Sequence, residues 1–223
     1  MKKLSKRLLT LISFVPKGSF VADVGADHGA LPIALINDGI APFCQAIENK
    51  KGPFARLSKA VEEECLAPER LLLSLSDGLS SLDERVDTVV IAGMGGKLIA
   101  RILLSHPEKL KHVRTLILDA HSEKGDALEA AASLSYKVRE ESFFYEENIP
   151  YSVWKMEKSE EAVRYSEEEK LFGPIEYHRK SAPWRRYIEE EIQRAETLLG
   201  ASLPPIREKE LTAYLNLLKE ALS

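Results

Sequence analysis

Phe20-Val21-Ala22-Asp23-Val24-Gly25-Ala26-Asp27-His28-Gly29-Ala30-Leu31-Pro32 is the stretch on which the reading of this chain turns. Phe20 to Val24 reads as a short buried strand, Gly25 and Gly29 as the bends of a loop, and Pro32 as part of the first turn of a helix. A missing N–H costs nothing there, because the first helical amides have no intrahelical partner. Strand, glycine-bearing loop and helix form the nucleotide pocket at the first strand end of a doubly wound α/β sheet.

Working outward, the rest of the chain repeats the unit. Phe43 to Ile47, ending at Glu48-Asn49, reads as a second strand, Leu71 to Leu75 as a third, closed by Ser76-Asp77-Gly78, and Leu116 to Leu118 as a fifth. Thr88-Val89-Val90-Ile91-Ala92 is the clearest strand, since an unbroken β-branched run implies burial on both faces of a parallel sheet. Helices are expected from Leu4, Leu8, Leu11 and Ile12, after Pro53, over about Leu98 to Leu104, and over Asp126 to Leu134. Tyr136 to Phe144 and Tyr151 to Met156 read as a closing antiparallel hairpin. Five βα units plus a hairpin make an α/β domain over residues 1–158.

Residues 159–223 differ. Glu157 to Lys170 is dominated by charge and reads as a solvated connector. Ile188, Ile192, Ala195 and Leu199, then Leu211, Leu215, Leu218 and Leu222, describe two amphipathic helices separated by Gly200 to Pro205. The expectation is an antiparallel, coiled-coil-like helical hairpin.

Composition narrows the class. Among 223 residues, 44% are hydrophobic and 30% charged, with a formal net charge of −4, as in ordinary soluble domains. No run is long and apolar enough to span a bilayer, and the basic N-terminus reads as an amphipathic helix rather than a signal peptide. Cys44 and Cys65 have no metal-ligand spacing and read as thiols in a reducing, cytoplasmic setting. No metal is expected, nor any membrane partner.

The loop after the first strand selects the ligand. A dinucleotide fingerprint needs G-x-G-x-x-G so that amides can approach a pyrophosphate. Here Asp27 stands where the second glycine belongs, and a carboxylate aimed at pyrophosphate is repulsive. It favours a cationic ligand without phosphate, and S-adenosylmethionine, carrying sulfonium and ammonium groups, is such a ligand. Glu48 at the second strand end is placed to accept ribose hydroxyls, and Asp77 at the third to receive an adenine amino group. Each carboxylate alone reads equally well as a helix cap or loop residue; their succession along one sheet edge favours a ligand site.

Six ordered segments then carry a resemblance: Leu4-Ser5-Lys6-Arg7-Leu8, Asp27-His28 with Leu31-Pro32, Lys51-Gly52-Pro53, Asp77-Gly78-Leu79, Ala92-Gly93-Met94-Gly95-Gly96 and Phe172-Gly173-Pro174. Together they resemble the bacterial tRNA (adenine(22)-N1)-methyltransferases. The resemblance implies a Rossmann-like class I methyltransferase domain, seven-stranded and mostly parallel, with a C-terminal helical pair, transferring methyl from S-adenosylmethionine to N1 of a D-arm adenine. It implies a cofactor site of Arg7, Asp23, Gly25, Asp27, His28, Glu48, Asn49, Asp77, Gly78, Ala92, Gly93, Met94 and Gly95. The chain departs from the family pattern at Gly29-Ala30, at Asp119-Ala120-His121, where the family tends to have Gln-Pro after the fifth strand, and at Tyr151-Ser152.

Adenine N1 has an in-plane lone pair, so attack on a sulfonium methyl needs positioning, exclusion of water and negative charge near the adenine more than a base. Asp27, His28 and Asp119 are the catalytic candidates, against capping roles for His28 and Asp119. For tRNA the cationic candidates are Lys2, Lys3, Lys6 and Arg7, and His178, Arg179, Lys180, Arg185 and Arg186, with Tyr177 and Trp184 interleaved for stacking or packing. Two other functions fit the same residues: a class I methyltransferase acting on another RNA, a small molecule or a protein, and a non-catalytic RNA-binding module on a degenerate methyltransferase fold.

Overall fold

A computed structural model describes residues 4–223; Lys2 and Lys3 of the N-terminal basic cluster lie outside the described residues. In chain order the elements are α1 (Lys6–Phe14), β1 (Phe20–Val24), α2 (Ala30–Asn37), β2 (Phe43–Glu48), α3 (Lys51–Glu63), β3 (Leu71–Leu75), β4 (Thr88–Met94), α4 (Gly96–Ser105), a 3₁₀ turn (Pro107–Lys111), β5 (Thr115–Ala120), α5 (Lys124–Ser133), β6 (Tyr136–Glu146), β7 (Ile149–Lys158), α6 (Glu167–Phe172), α7 (Glu176–Arg179), α8 (Ala182–Leu199) and α9 (Pro205–Leu222).

The seven strands form one sheet in the order β3-β2-β1-β4-β5-β7-β6. β1 to β5 pair in parallel and β7 runs antiparallel between β5 and β6. The strand order reverses at β1, and that switch point opens the crevice at the carboxyl ends of β1 and β4.

Period-2 alternation explains why the apolar runs are unbroken. Val89, Ile91, Leu116 and Leu118 face one core with Ile99, Leu103 and Leu128 of α4 and α5. Val90 and Ile117 face the other with Leu11, Leu35 and Leu57 of α1, α2 and α3.

β6 changes parity. Tyr136 and Val138 are buried, but a bulge between Val138 and Glu140 hands the buried side to Glu141 and Phe143. Glu141 is thereby a buried carboxylate. It accepts from Trp154 Nε1 at 2.9 Å, Ser152 Oγ at 3.1 Å, and the backbone N–H groups of Ile175 at 2.8 Å and Glu176 at 2.9 Å. Burial pushes its carboxyl above the ordinary range, opposed by these donors. A third core of Phe143, Phe172, Trp184, Ile188, Leu218 and Ala221 seats the α8–α9 hairpin on β6.

The 157–170 segment is not simply solvated. The Tyr165 hydroxyl accepts from Val138 N at 2.8 Å and its ring packs on the sheet core. Ser166 and Glu169 then close a reciprocal capping box that starts α6, which the density of charge concealed. The β6–β7 turn is also tighter than the gap between Phe144 and Tyr151 implied: the strands run on to Glu146 and from Ile149, and Glu147 and Asn148, both at positive φ, make a two-residue turn.

Candidate functional site

The carboxyl ends of β1, β2, β3 and β4 enclose a cleft of about 390 Å³ whose walls include Gly25, Glu48, Asn49, Asp77, Gly78 and Met94, with Leu98 and Ile102 of α4 below. Gly25 has φ +84°, and a Cβ there would collide with the Met94 side chain, so only glycine keeps this wall open. Its amide and that of Ala26 both donate to Ile47 O, at 2.8 and 3.1 Å, which ties the β1 loop to the β2 end. Glu48 is buried and accepts from Lys50 N at 2.9 Å. Asn49 Nδ2 donates to Asp77 Oδ1 at 3.2 Å. Gly25, Glu48 and Asp77, from three successive strand ends, therefore meet in one hollow, while Asp27 does not join them.

Asp23 lies beneath them on β1, 8% exposed. Burial pushes its carboxyl from its ordinary 3.8 up to about 7; Arg7 opposes the shift and Glu48 adds to it. The site thus holds a carboxyl that a cationic ligand would ionise.

A second constellation adjoins it. Asp119 at the end of β5 is fully buried, with Oδ2 2.5 Å from Arg7 Nε and 3.4 Å from His121 Nε2. The guanidinium lies against Gly93, where a Cβ would come within 2.7 Å of Nη2, and 5.7 Å from the Tyr151 ring centre. The His121 ring meets Tyr151 edge-on at 5.6 Å. Arg7 is held there because Glu146, at the end of β6, accepts the Lys6 and Arg7 amides at the start of α1, at 2.5 and 3.1 Å. An acid in a hairpin turn gives no sequence signal for this clamp.

Asp27 and His28 are arranged differently from expectation. Asp27 Oδ1 is 2.8 Å from Arg56 Nη2 on α3, and His28 Nε2 is 3.4 Å from Asp27 Oδ2. Both side chains are half-exposed or more, and neither lines the strand-end cleft. The guanidinium of Arg56, unremarked in the sequence, is what draws the carboxylate outward.

The expected basic cluster is also partly spent inside the fold. Arg179 donates to Glu176 Oε1 at 2.8 Å and to Glu141 O at 3.1 Å, and Arg186 pairs with Glu190 at 2.8 Å while lying over the Tyr145 ring. Trp184 is buried and donates to Phe172 O at 2.8 Å, so its ring is not offered for base stacking, and the half-buried Tyr177 ring has one face stacked on Phe172. Lys180 and Arg185 form no ion pair among the described residues; Arg185 Nε donates to Lys180 O at 2.9 Å.

A larger cleft, about 560 Å³, separates the β5–α5 loop from the helical arm and is lined by His121, Lys124, Glu129, Lys170, Phe172 and Tyr187. It lies away from the switch point and is rimmed by further carboxylates, so the smaller hollow has the better claim to a nucleotide. Among the described residues no group of three His, Cys, Asp or Glu side chains is placed to hold a metal, and no helix is long and apolar enough to cross a membrane.

Comparison with known proteins agrees with this geometry. Residues 4–154 match a methyltransferase-domain family. The tRNA (adenine(22)-N(1))-methyltransferase of Bacillus subtilis is 29% identical, covering 99% of this chain and 97% of its own. The crystal structure of the B. subtilis m1A22 tRNA methyltransferase TrmK superposes with TM-score 0.87 at 29% identity over both full chains. Streptococcus pneumoniae Sp1610 in complex with S-adenosyl-L-methionine gives TM-score 0.90 at 30% identity, covering 99% of this chain and all of that one. The architecture is the Rossmann-like class I methyltransferase fold.

Proposed function

Because the chain belongs to the methyltransferase-domain family, and within it to the bacterial tRNA (adenine(22)-N1)-methyltransferases, we propose that it transfers the methyl group of S-adenosylmethionine to N1 of the adenine at position 22 of tRNA. The single observation that carries this reading is the meeting of Glu48, Asp77 and Gly25 around one hollow at the topological switch point. Its volume lies within the roughly 300–1,000 Å³ usual for small-ligand sites.

S-adenosylmethionine supplies a methyl group on a sulfonium, already activated for transfer. The residues of this chain bind and orient it. Glu48 accepts the two ribose hydroxyls and Asp77, with Gly78 beside it, receives the adenine amino group. Asn49 holds Asp77 in place. Gly25, lacking a Cβ, leaves room for the ligand, and Met94 forms the opposing wall, with Ala92, Gly93 and Gly95 beside it in sequence proposed to complete that side. Asp23 provides negative charge for the cationic end, and Arg7, beside Gly93, is the cation within reach of the methionine carboxylate. Asp27, paired with Arg56, and His28 beside it stand at the rim.

Lys6 and Arg185, both exposed, and the half-buried Lys180 are the cations proposed to meet tRNA phosphate, with Arg179 and Arg186 serving first as internal ion-pair partners. A tRNA substrate supports a cytoplasmic setting for the activity.

Incubating the purified protein with S-adenosylmethionine and unmodified tRNA, then mapping modified nucleosides by mass spectrometry, tests the reading. One new 1-methyladenosine at position 22 is expected. Methyl transfer to protein or small molecules with none to tRNA overturns it.

A further inference from the structure

One polar atom beside the cleft is left without a partner. Asp119 has no exposed side-chain surface; Arg7 Nε engages Oδ2 at 2.5 Å, while Oδ1 finds no hydrogen bond among the described residues. A buried carboxylate oxygen lacking a donor is unfavourable by about 1–3 kcal/mol or more, so its retention marks a place where a donor arrives.

The group now covering that carboxylate shows what kind of donor suits it. The Arg7 guanidinium is a flat cation with N–H groups in its plane, lying against Gly93 and near the face of Tyr151. Methylation at N1 turns adenine into a group of the same chemistry. The N1 lone pair forms the new N–C bond as the C–S bond breaks toward sulfur, so the positive charge leaves the sulfonium and is shared between N1 and the 6-amino nitrogen. The product edge is a planar amidinium with N–H donors, as the guanidinium is.

Building on the methyltransferase reading above, we propose that Asp119 accepts a hydrogen bond from the 6-amino group of the target adenine, and that Arg7 occupies the place of the base until tRNA binds and is then released from Asp119 to the methionine carboxylate. The carboxylate does no proton abstraction in this role. It strengthens its hold as charge develops on the base, which is where stabilisation accelerates transfer. It also selects the base: guanine presents O6 at that edge, and two acceptors facing each other in a buried site repel. Gly93 is required to be bare because either occupant lies against it.

The test is single-turnover methyl transfer by the full chain on two tRNAs, one with adenine at position 22 and one with purine, which lacks only the 6-amino group. Wild type should be at least about 10- to 100-fold slower on the purine tRNA, the worth of one hydrogen bond to a charged group, together with the lost electron donation from the amino group, which is the same for every variant. Asp119→Asn should lose a similar factor on the adenine tRNA and little more on the purine tRNA, so that the two losses do not multiply. Arg7→Gln breaks the same ion pair while keeping Asp119; its slowing should be equal on both tRNAs. Losses that multiply for Asp119→Asn, or an Asp119→Asn protein as fast as wild type on adenine, overturn the proposal. No transfer by wild type to either tRNA, with S-adenosylmethionine binding intact by calorimetry, instead overturns the parent reading and the proposal with it.

Discussion

Glu141 and Gly173 are in such close contact that a Cβ on Gly173 would fall inside the Glu141 carboxylate. Gly173 also has φ +98°, a region in which a side chain is strained. Gly173→Ala should therefore be destabilising by about 2–4 kcal/mol through strain and lost hydrogen bonds to Glu141, read as a fall in denaturant midpoint. Because Glu141 and the strand-end cleft are separate, S-adenosylmethionine affinity of the folded fraction should stay at the wild-type value while tRNA affinity drops.

Glu48 lies at the end of β2 with its carboxylate already oriented by Lys50 N. Glu48→Ala should weaken S-adenosylmethionine by about 10- to 100-fold, as expected for losing hydrogen bonds to a charged acceptor, with no loss of thermal stability beyond about 1 kcal/mol. Isothermal calorimetry on the two proteins checks this. Equal affinity would remove Glu48 from the cofactor site.

Asp23 gives the protein a pH signature. It ionises near 3.8 when unfolded and at about 7 in the fold. Between those values the native state holds a proton that the unfolded chain has released. Its contribution to stability is therefore full below pH 3.8 and is lost as pH rises through 7. A cationic ligand lowers that pKa, so S-adenosylmethionine binding at pH 6.5 should release a proton, and at pH 8.5 should not. Binding enthalpies measured in buffers of different ionisation heat will separate the two cases, and Asp23→Asn should abolish the difference.

Lys180 and Arg185, which form no ion pair among the described residues, should govern the salt response. Log affinity for tRNA should fall linearly with log salt, with a slope of about −0.7 to −0.9 per phosphate neutralised. Lys180→Ala with Arg185→Ala should flatten that slope by one to two such steps. Arg186→Ala, whose charge is compensated by Glu190, should change it less.

The sheet was legible because its signals are local. The runs Val89-Val90-Ile91 and Leu116-Ile117-Leu118 can be so apolar only where both faces are covered, and Glu48 and Asp77 follow their strands directly. What escaped was parity and partnership. Glu141 reads as an outward strand charge until the bulge after Val138 reverses the count, and no sequence signal marks that bulge. Asp27 fitted a cofactor role by spacing, yet Arg56, 29 positions away along the chain, takes its carboxylate. Arg179 and Arg186 likewise look free in sequence, while Glu176 and Glu190, three and four positions away, hold them.

The two arm helices each have 18 residues, about 27 Å of α-helix at 1.5 Å per residue. Their root is fixed to the sheet by the Glu141 hydrogen bonds and by Trp184 buried among Phe172 and Ile188. An arm fastened in this way behaves as a rigid lever with its fulcrum at β6: the reach of its tip from that root is set by the length of its helices. Adding one turn to both helices would carry the tip about 5.4 Å further from the fulcrum without touching the packing that holds the root.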